Sequence, residues 1–203
     1  MNKILGKSVD PLKLTAAYAS LIMIIALLAA LSFVTASSAH DLVWPGEKLK
    51  TLFPQAASFE QKNLYVSDAQ RAAIETALKG RLQEEDMKPS VYLAIVRNSP
   101  TAPPRKAGAI MFIDANGQGG KIEMGIVVSG QGHLQGIHIF ENKEPASVLQ
   151  PSFLKQFEHK TASDPFTVGK DISSPRGAEI SAQAIASGAR RGLLIITELF
   201  RKK

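Results

Sequence analysis

Ile122-Glu123-Met124-Gly125-Ile126-Val127-Val128 and Leu134-Gln135-Gly136-Ile137-His138-Ile139-Phe140 are two short apolar runs joined by Ser129-Gly130-Gln131-Gly132-His133. Runs rich in β-branched residues on either side of a glycine-rich turn read as the two arms of an antiparallel hairpin. The pattern continues upstream in Val91-Tyr92-Leu93-Ala94-Ile95-Val96 and Gly108-Ala109-Ile110-Met111-Phe112-Ile113, with turn-rich pieces at residues 98–105 and 114–117 between the runs. Four consecutive strands in a meander are therefore expected.

Helical spacing replaces this pattern on both sides. Before the strands, Ala69, Ala72, Ala73, Ile74, Ala77 and Leu78 mark one face of a helix, with Ser67 or Asp68 as its cap and Gly80 near its stop. After them, residues 151–157 place Phe153, Leu154 and Phe157 on one side, and residues 181–191 carry Ala182, Ile185, Ala186 and Ala189. The apolar run 193–199 can extend that last helix or form a strand. Residues 41–61, with Trp44-Pro45-Gly46 and Phe53-Pro54, read as an irregular lead-in with one short helix between the prolines.

No charged residue occurs from Thr15 to Ala36. A bilayer core needs about 20 helical residues, so this run is long enough to span it. Ala36-Ser37-Ser38-Ala39 also offers a cleavage site for a signal peptide, whose apolar region is normally only about 7–15 residues. Lys3, Lys7 and Lys13 precede the run, which keeps the N-terminus in the cytoplasm and puts the residues after the run outside it. The expected organisation is a cytoplasmic tail at 1–14, a transmembrane anchor or uncleaved signal-like segment at 15–39, a lead-in at 40–66 and one domain at 67–203. The fold class expected is α+β: an N-terminal transmembrane helix, then a mainly antiparallel curved sheet flanked by helices. The protein is placed in the inner membrane as a single-pass protein with a periplasmic or extracellular domain.

The chain of 203 residues has no cysteine, which excludes disulfides, thiolate metal sites and thiol nucleophiles. Any redox chemistry must come from a cofactor. The net charge of +6 is spread along the chain apart from Arg190-Arg191 and Arg201-Lys202-Lys203, without interleaved aromatics, so no nucleic-acid partner is expected. His138, Glu141 and Glu144 read as surface polar residues and not as a metal or acid–base set, because His138 and Glu141, three apart on a strand, face opposite ways and would need a bend to converge. No catalytic group and no metal ligand is assigned.

Several pieces occur in a familiar order: Leu52-Phe53-Pro54, the paired strands ending in Val128 and Phe140, Glu144-Pro145, Phe153-Leu154-Lys155-Gln156-Phe157, Val168-Gly169-Lys170-Asp171-Ile172 and Gly177-Ala178-Glu179-Ile180-Ser181. In this the chain resembles the FMN-binding domains of membrane electron-transfer complexes and of flavin carriers in bacterial envelopes. The resemblance covers most of residues 52–199. It implies electron transfer, FMN as cofactor, and as partners the membrane and other subunits of a membrane redox complex.

In that family a loop of the pattern Asp, two residues, Ser or Thr, Gly, Ala, Thr precedes the last helix, and its final Thr carries FMN through a phosphoester. Here Ser173 stands for the Asp, Arg176 for the Ser or Thr, Gly177 and Ala178 fit, and Glu179 occupies the acceptor position. Pro145 follows Glu144 where the family has Thr. Covalent FMN is therefore not expected. A noncovalent site would use Arg176 on the phosphate, the Gly177-Ala178 turn, amides of the helix beginning near Ile180, and the Ser181 hydroxyl. Glu179 would sit beside the phosphate, or simply occupy a helix first turn, where a carboxylate is favourable. Two functions stay open: an electron-transfer flavoprotein, and a flavin-free structural or assembly subunit of a larger membrane complex.

Overall fold

A computed structural model describes residues 46–99 and 101–201. The chain divides after Gly46 into two units, and the whole sheet lies in the second, Glu47–Lys203. The expected membrane segment at 15–39 lies outside the described residues. Among the described residues no helix is long and apolar enough to cross a membrane.

Five strands form one sheet in the order β1-β2-β3-β4-β5: β1 Ser58–Asn63, β2 Ser90–Val96, β3 Arg105–Asn116, β4 Lys121–Ser129 and β5 Leu134–Glu141. Every neighbouring pair is antiparallel. The meander read from residues 91–140 is thus present, and β3 extends beyond the expected run at both ends. The short helix expected between the prolines is present at Gly46–Leu52, whereas β1 corrects the reading of the rest of residues 41–61 as irregular. Its sequence, SFEQKN, alternates weakly because it is an edge strand, and the ladder with β2 holds it in place.

The pleat sorts the apolar residues onto two faces. Leu93, Met111, Ile113, Ile122, Met124 and Ile126 belong to the larger core, while Tyr92, Ala94, Val96, Ile110 and Val127 join a smaller one. Helix α1, Gly46–Leu52, covers the smaller face through Leu49, followed by Phe53 and Ala56. Helix α2, Asp68–Leu78, starts in a capping box: the Ser67 side chain accepts from Gln70 N–H, and the Gln70 side chain accepts from Ser67 N–H. It ends with Lys79 in a left-handed conformation, one residue before the expected Gly80 stop.

Residues 151–157 fold as a short helix α3, Pro151–Leu154, tightening into a 3-10 turn, Lys155–Phe157. Helix α4, Glu179–Leu199, absorbs the ambiguous run 193–199 and lies across β3, β4 and α2. It approaches the sheet closely because Gly192 has no side chain: a Cβ there would collide with Ile126 Cδ1. Residues 192–196 are buried in succession, so α4 is covered on all sides along that stretch. Its first half keeps an outward face, beside the loop that carries the candidate site.

Candidate functional site

The loop 173–178 delivers the chain into α4. Gly177 has φ +74, a left-handed conformation that favours glycine. Ala178 follows as the N-cap, fully buried and without a side chain able to accept a hydrogen bond. Glu179 does not supply that cap, because its carboxylate reaches back to the turn and not to the helix amides. Its Oε1 accepts the Gly177 N–H at 3.1 Å, so the carboxylate folds back over the turn.

The structure separates the six expected site residues. Arg176, Gly177, Glu179 and Ile180 stand apart from Ala178 and Ser181, which are fully buried. Ile180 is 62% exposed. The Ser181 hydroxyl does not face the turn; it donates a short hydrogen bond to Glu144 Oε2. Glu144 Oε1 accepts the Gly119 N–H at 2.9 Å, so this one carboxylate joins α4 to the β3–β4 turn. The turn is shaped for it, since a Cβ on Gly117 would lie 2.6 Å from the Glu144 carboxylate. Sequence reasoning treated Glu144 as a surface polar group and missed this role. Its place in the family-like Glu144-Pro145 pair was the signal available.

A groove of about 600 Å³ runs beside the turn. Glu179, Ile180, Gln183 and Ser187 of α4 form one wall, and Asn116 and Arg191 contribute polar groups to the lining. Arg191 is held from behind: its Nη2 donates to the Asp114 carbonyl, and its Nε lies 3.2 Å from Asp86 Oδ2. That Nε makes no hydrogen bond, so the Asp86 contact is a charge pairing rather than an aligned bond. Burial pushes the Asp86 carboxyl above the usual carboxylate range, against the opposing effects of the Gln83 N–H and the Arg191 charge.

The loop leading to the turn is braced by a second carboxylate. Asp171 accepts from Thr167 N–H at 2.6 Å and Phe166 N–H at 3.1 Å, and pairs with Lys160 at 2.7 Å. Burial alone would raise its carboxyl, but the Lys160 and backbone hydrogen bonds outweigh that and hold it below the usual range.

His138, Glu141 and Glu144 do not converge. The His138 ring lies tilted against Phe140, with centroids 4.6 Å apart, Glu141 lies 4.0 Å from Lys48, and Glu144 is engaged by Ser181 and Gly119. Among the described residues no three His, Cys, Asp or Glu side chains are grouped to hold a metal ion.

No protein-family model matches the sequence. No curated protein matches it either. Among solved structures, the crystal structure of NqrC from Shewanella oneidensis is similar to this chain, with 13% sequence identity and a TM-score of 0.49 over 76% of this chain and 87% of that one.

Proposed function

We propose that the chain is a membrane-anchored, outward-facing electron-transfer protein of the FMN-binding-domain type, serving a membrane redox complex and holding its flavin without a covalent bond. The observation that carries this reading is the juxtaposition of the Arg176–Glu179 turn with the groove along α4. A groove of about 600 Å³ lies within the size range of small-molecule sites. Its wall mixes exposed Ile180 with the polar side chains of Gln183, Ser187 and Asn116, which suits a flat heteroaromatic ring with hydrogen-bonding edges. In this reading the exposed Arg176 would pair with the phosphate, and FMN, when bound, would supply the electron relay. Attachment through an ester at the family's acceptor position has no alcohol to use, because Glu179 stands there, and the Ser181 hydroxyl two residues on is buried against Glu144.

A second reading, a flavin-free structural or assembly subunit, is favoured by one specific contact. The Glu179 carboxylate already takes the Gly177 N–H that a phosphate would seek, and its charge would repel a dianion.

Titrating the full chain in neutral detergent with FMN separates the two. Quenching of flavin fluorescence should saturate at one equivalent, and the flavin should be released on denaturation with no gain in protein mass. Glu179→Gln should tighten binding about five- to ten-fold by removing a like charge worth roughly 1 kcal/mol. No binding by either protein would establish the flavin-free reading, and a retained FMN mass would overturn the noncovalent one.

The orientation has its own check. A reporter active only in the cytoplasm, fused after Lys203, should stay silent. Activity there, or recovery of a free domain cut after Ala39, would remove the anchor from the proposal.

A further inference from the structure

Far along the sheet from the α4 turn, the β2–β3 connection gathers positive charge. Arg97 follows the last residue of β2, and Arg105 and Lys106 begin β3. Arg105 pairs in register with Val96, and Lys106 with Ile95, so the three cations stand at one end of the same two strands. They border a groove of about 450 Å³ that is also lined by Gln55, from the segment after α1, Gln131, from the β4–β5 turn, and Gln135, from β5.

No carboxylate lines this groove. Lys106 reaches Glu60 at 3.6 Å, but Arg97 and Arg105 make no ion pair among the described residues. The side-chain amides of the three glutamines likewise make no hydrogen bond among the described residues. Two guanidinium groups without an ion pair and three amides without a hydrogen bond, from four separate parts of the chain, thus line one groove, while the Lys106 ammonium at its border is shared with Glu60. With no carboxylate in its lining to offset Arg97 and Arg105, the groove keeps a positive potential that a bound anion would relieve.

We propose that this groove binds a phosphate-bearing anion, gripped by Arg97 and Arg105 with Lys106 beside them. The planar guanidinium fork matches two phosphate oxygens at once, and amide N–H groups can serve the remaining ones. One carboxylate would neutralise too little of the charge and offer too few acceptors for this set of donors. A free phosphate and the headgroup of an anionic lipid share the required chemistry. The site goes beyond the electron-transfer reading and does not depend on it, because it uses neither the α4 turn nor its groove.

The test is calorimetric titration of the full chain in neutral detergent with inorganic phosphate, with short-chain phosphatidylglycerol and with short-chain phosphatidylcholine. Saturable binding of phosphate, of phosphatidylglycerol or of both is expected, and none of phosphatidylcholine alone. Phosphate alone identifies a soluble anion, phosphatidylglycerol alone a lipid headgroup, and both the shared group. The double variant Arg97→Gln/Arg105→Gln should weaken binding at least about ten-fold, as loss of charge-assisted hydrogen bonds requires, whereas Lys88→Gln/Lys170→Gln should leave it unchanged. Absence of binding to both anions, or binding that survives the arginine substitutions, would overturn the proposal.

Discussion

Replacing Glu144 with alanine is expected to lower the free energy of unfolding by about 2–4 kcal/mol, a large part of the stability of a domain this size. The cost has two sources. Ser181 is fully buried, and without Glu144 its hydroxyl would lose the acceptor it has, which costs about 1–3 kcal/mol. The Gly119 N–H is exposed and would turn to water, so only the net value of its bond, about 0.5–1.5 kcal/mol, is lost there. A double-mutant cycle distinguishes this from general loosening. Removing the hydroxyl as well, in Glu144→Ala/Ser181→Ala, abolishes the orphaned donor, so the double variant should cost less than the sum of the two singles. Urea denaturation of all three variants provides the measurement, and strict additivity would show that the two side chains do not depend on each other. Because this contact fixes the first turn of α4 against the β3–β4 turn, Glu144→Ala should also weaken any ligand held in the adjoining groove.

The sheet was legible because burial on its two faces follows the period of the strands. Along β3 the odd-numbered Ala109, Met111, Ile113 and Ala115 enter one core and Ile110 the other, an alternation that a reader of residues can follow. β1 had no such signal. Glu60 and Lys62 pair with each other in solvent on an edge strand, so its structure rests on backbone bonds to β2 that leave no trace in residue type. The run 193–199 was ambiguous for a different reason. Its residues 193–196 are all apolar and all buried, and without a polar face the helical and extended periods look alike.

At the site, the position of the turn was readable and its wiring was not. Gly177 before a helix start announces a tight turn, and φ +74 there matches the need for glycine. That Glu179 would fold back onto the Gly177 N–H depends on backbone angles two residues apart, and that Ser181 would face inward depends on Glu144, 37 residues away in the chain. Neither is set by local pattern. The groove is less legible still, since Asn116 and Gln183 meet only once β3 and α4 have packed.

The largest single effect is expected at Phe157, where substitution by alanine should cost about 3–5 kcal/mol. Its ring is fully buried, meets Phe153 edge-on at 5.5 Å and lies 6.3 Å from Phe166. Truncation removes the transfer energy of the ring, leaves a cavity that rigid neighbours fill poorly, and forfeits the aromatic contact, worth about 0.5–1.5 kcal/mol by itself. The position also matters for the loop it holds. Directly after it, His159 N–H donates to the Leu134 carbonyl and Leu134 N–H to the Lys160 carbonyl, both at 2.7 Å, so Phe157 wedges the following loop against the start of β5. Lys160 then carries the contact to Asp171, whose carboxylate orders Phe166 and Thr167. Hydrogen exchange should therefore show a graded result in Phe157→Ala. The amides of Phe166 and Thr167 should lose more protection than the global destabilisation explains, while those of β3 and β4 should change only by the global amount. Phe157→Leu, which keeps most of the volume, should cost less than half as much and spare the loop. A Phe157→Ala cost below about 1 kcal/mol would mean that the ring is not enclosed in the core.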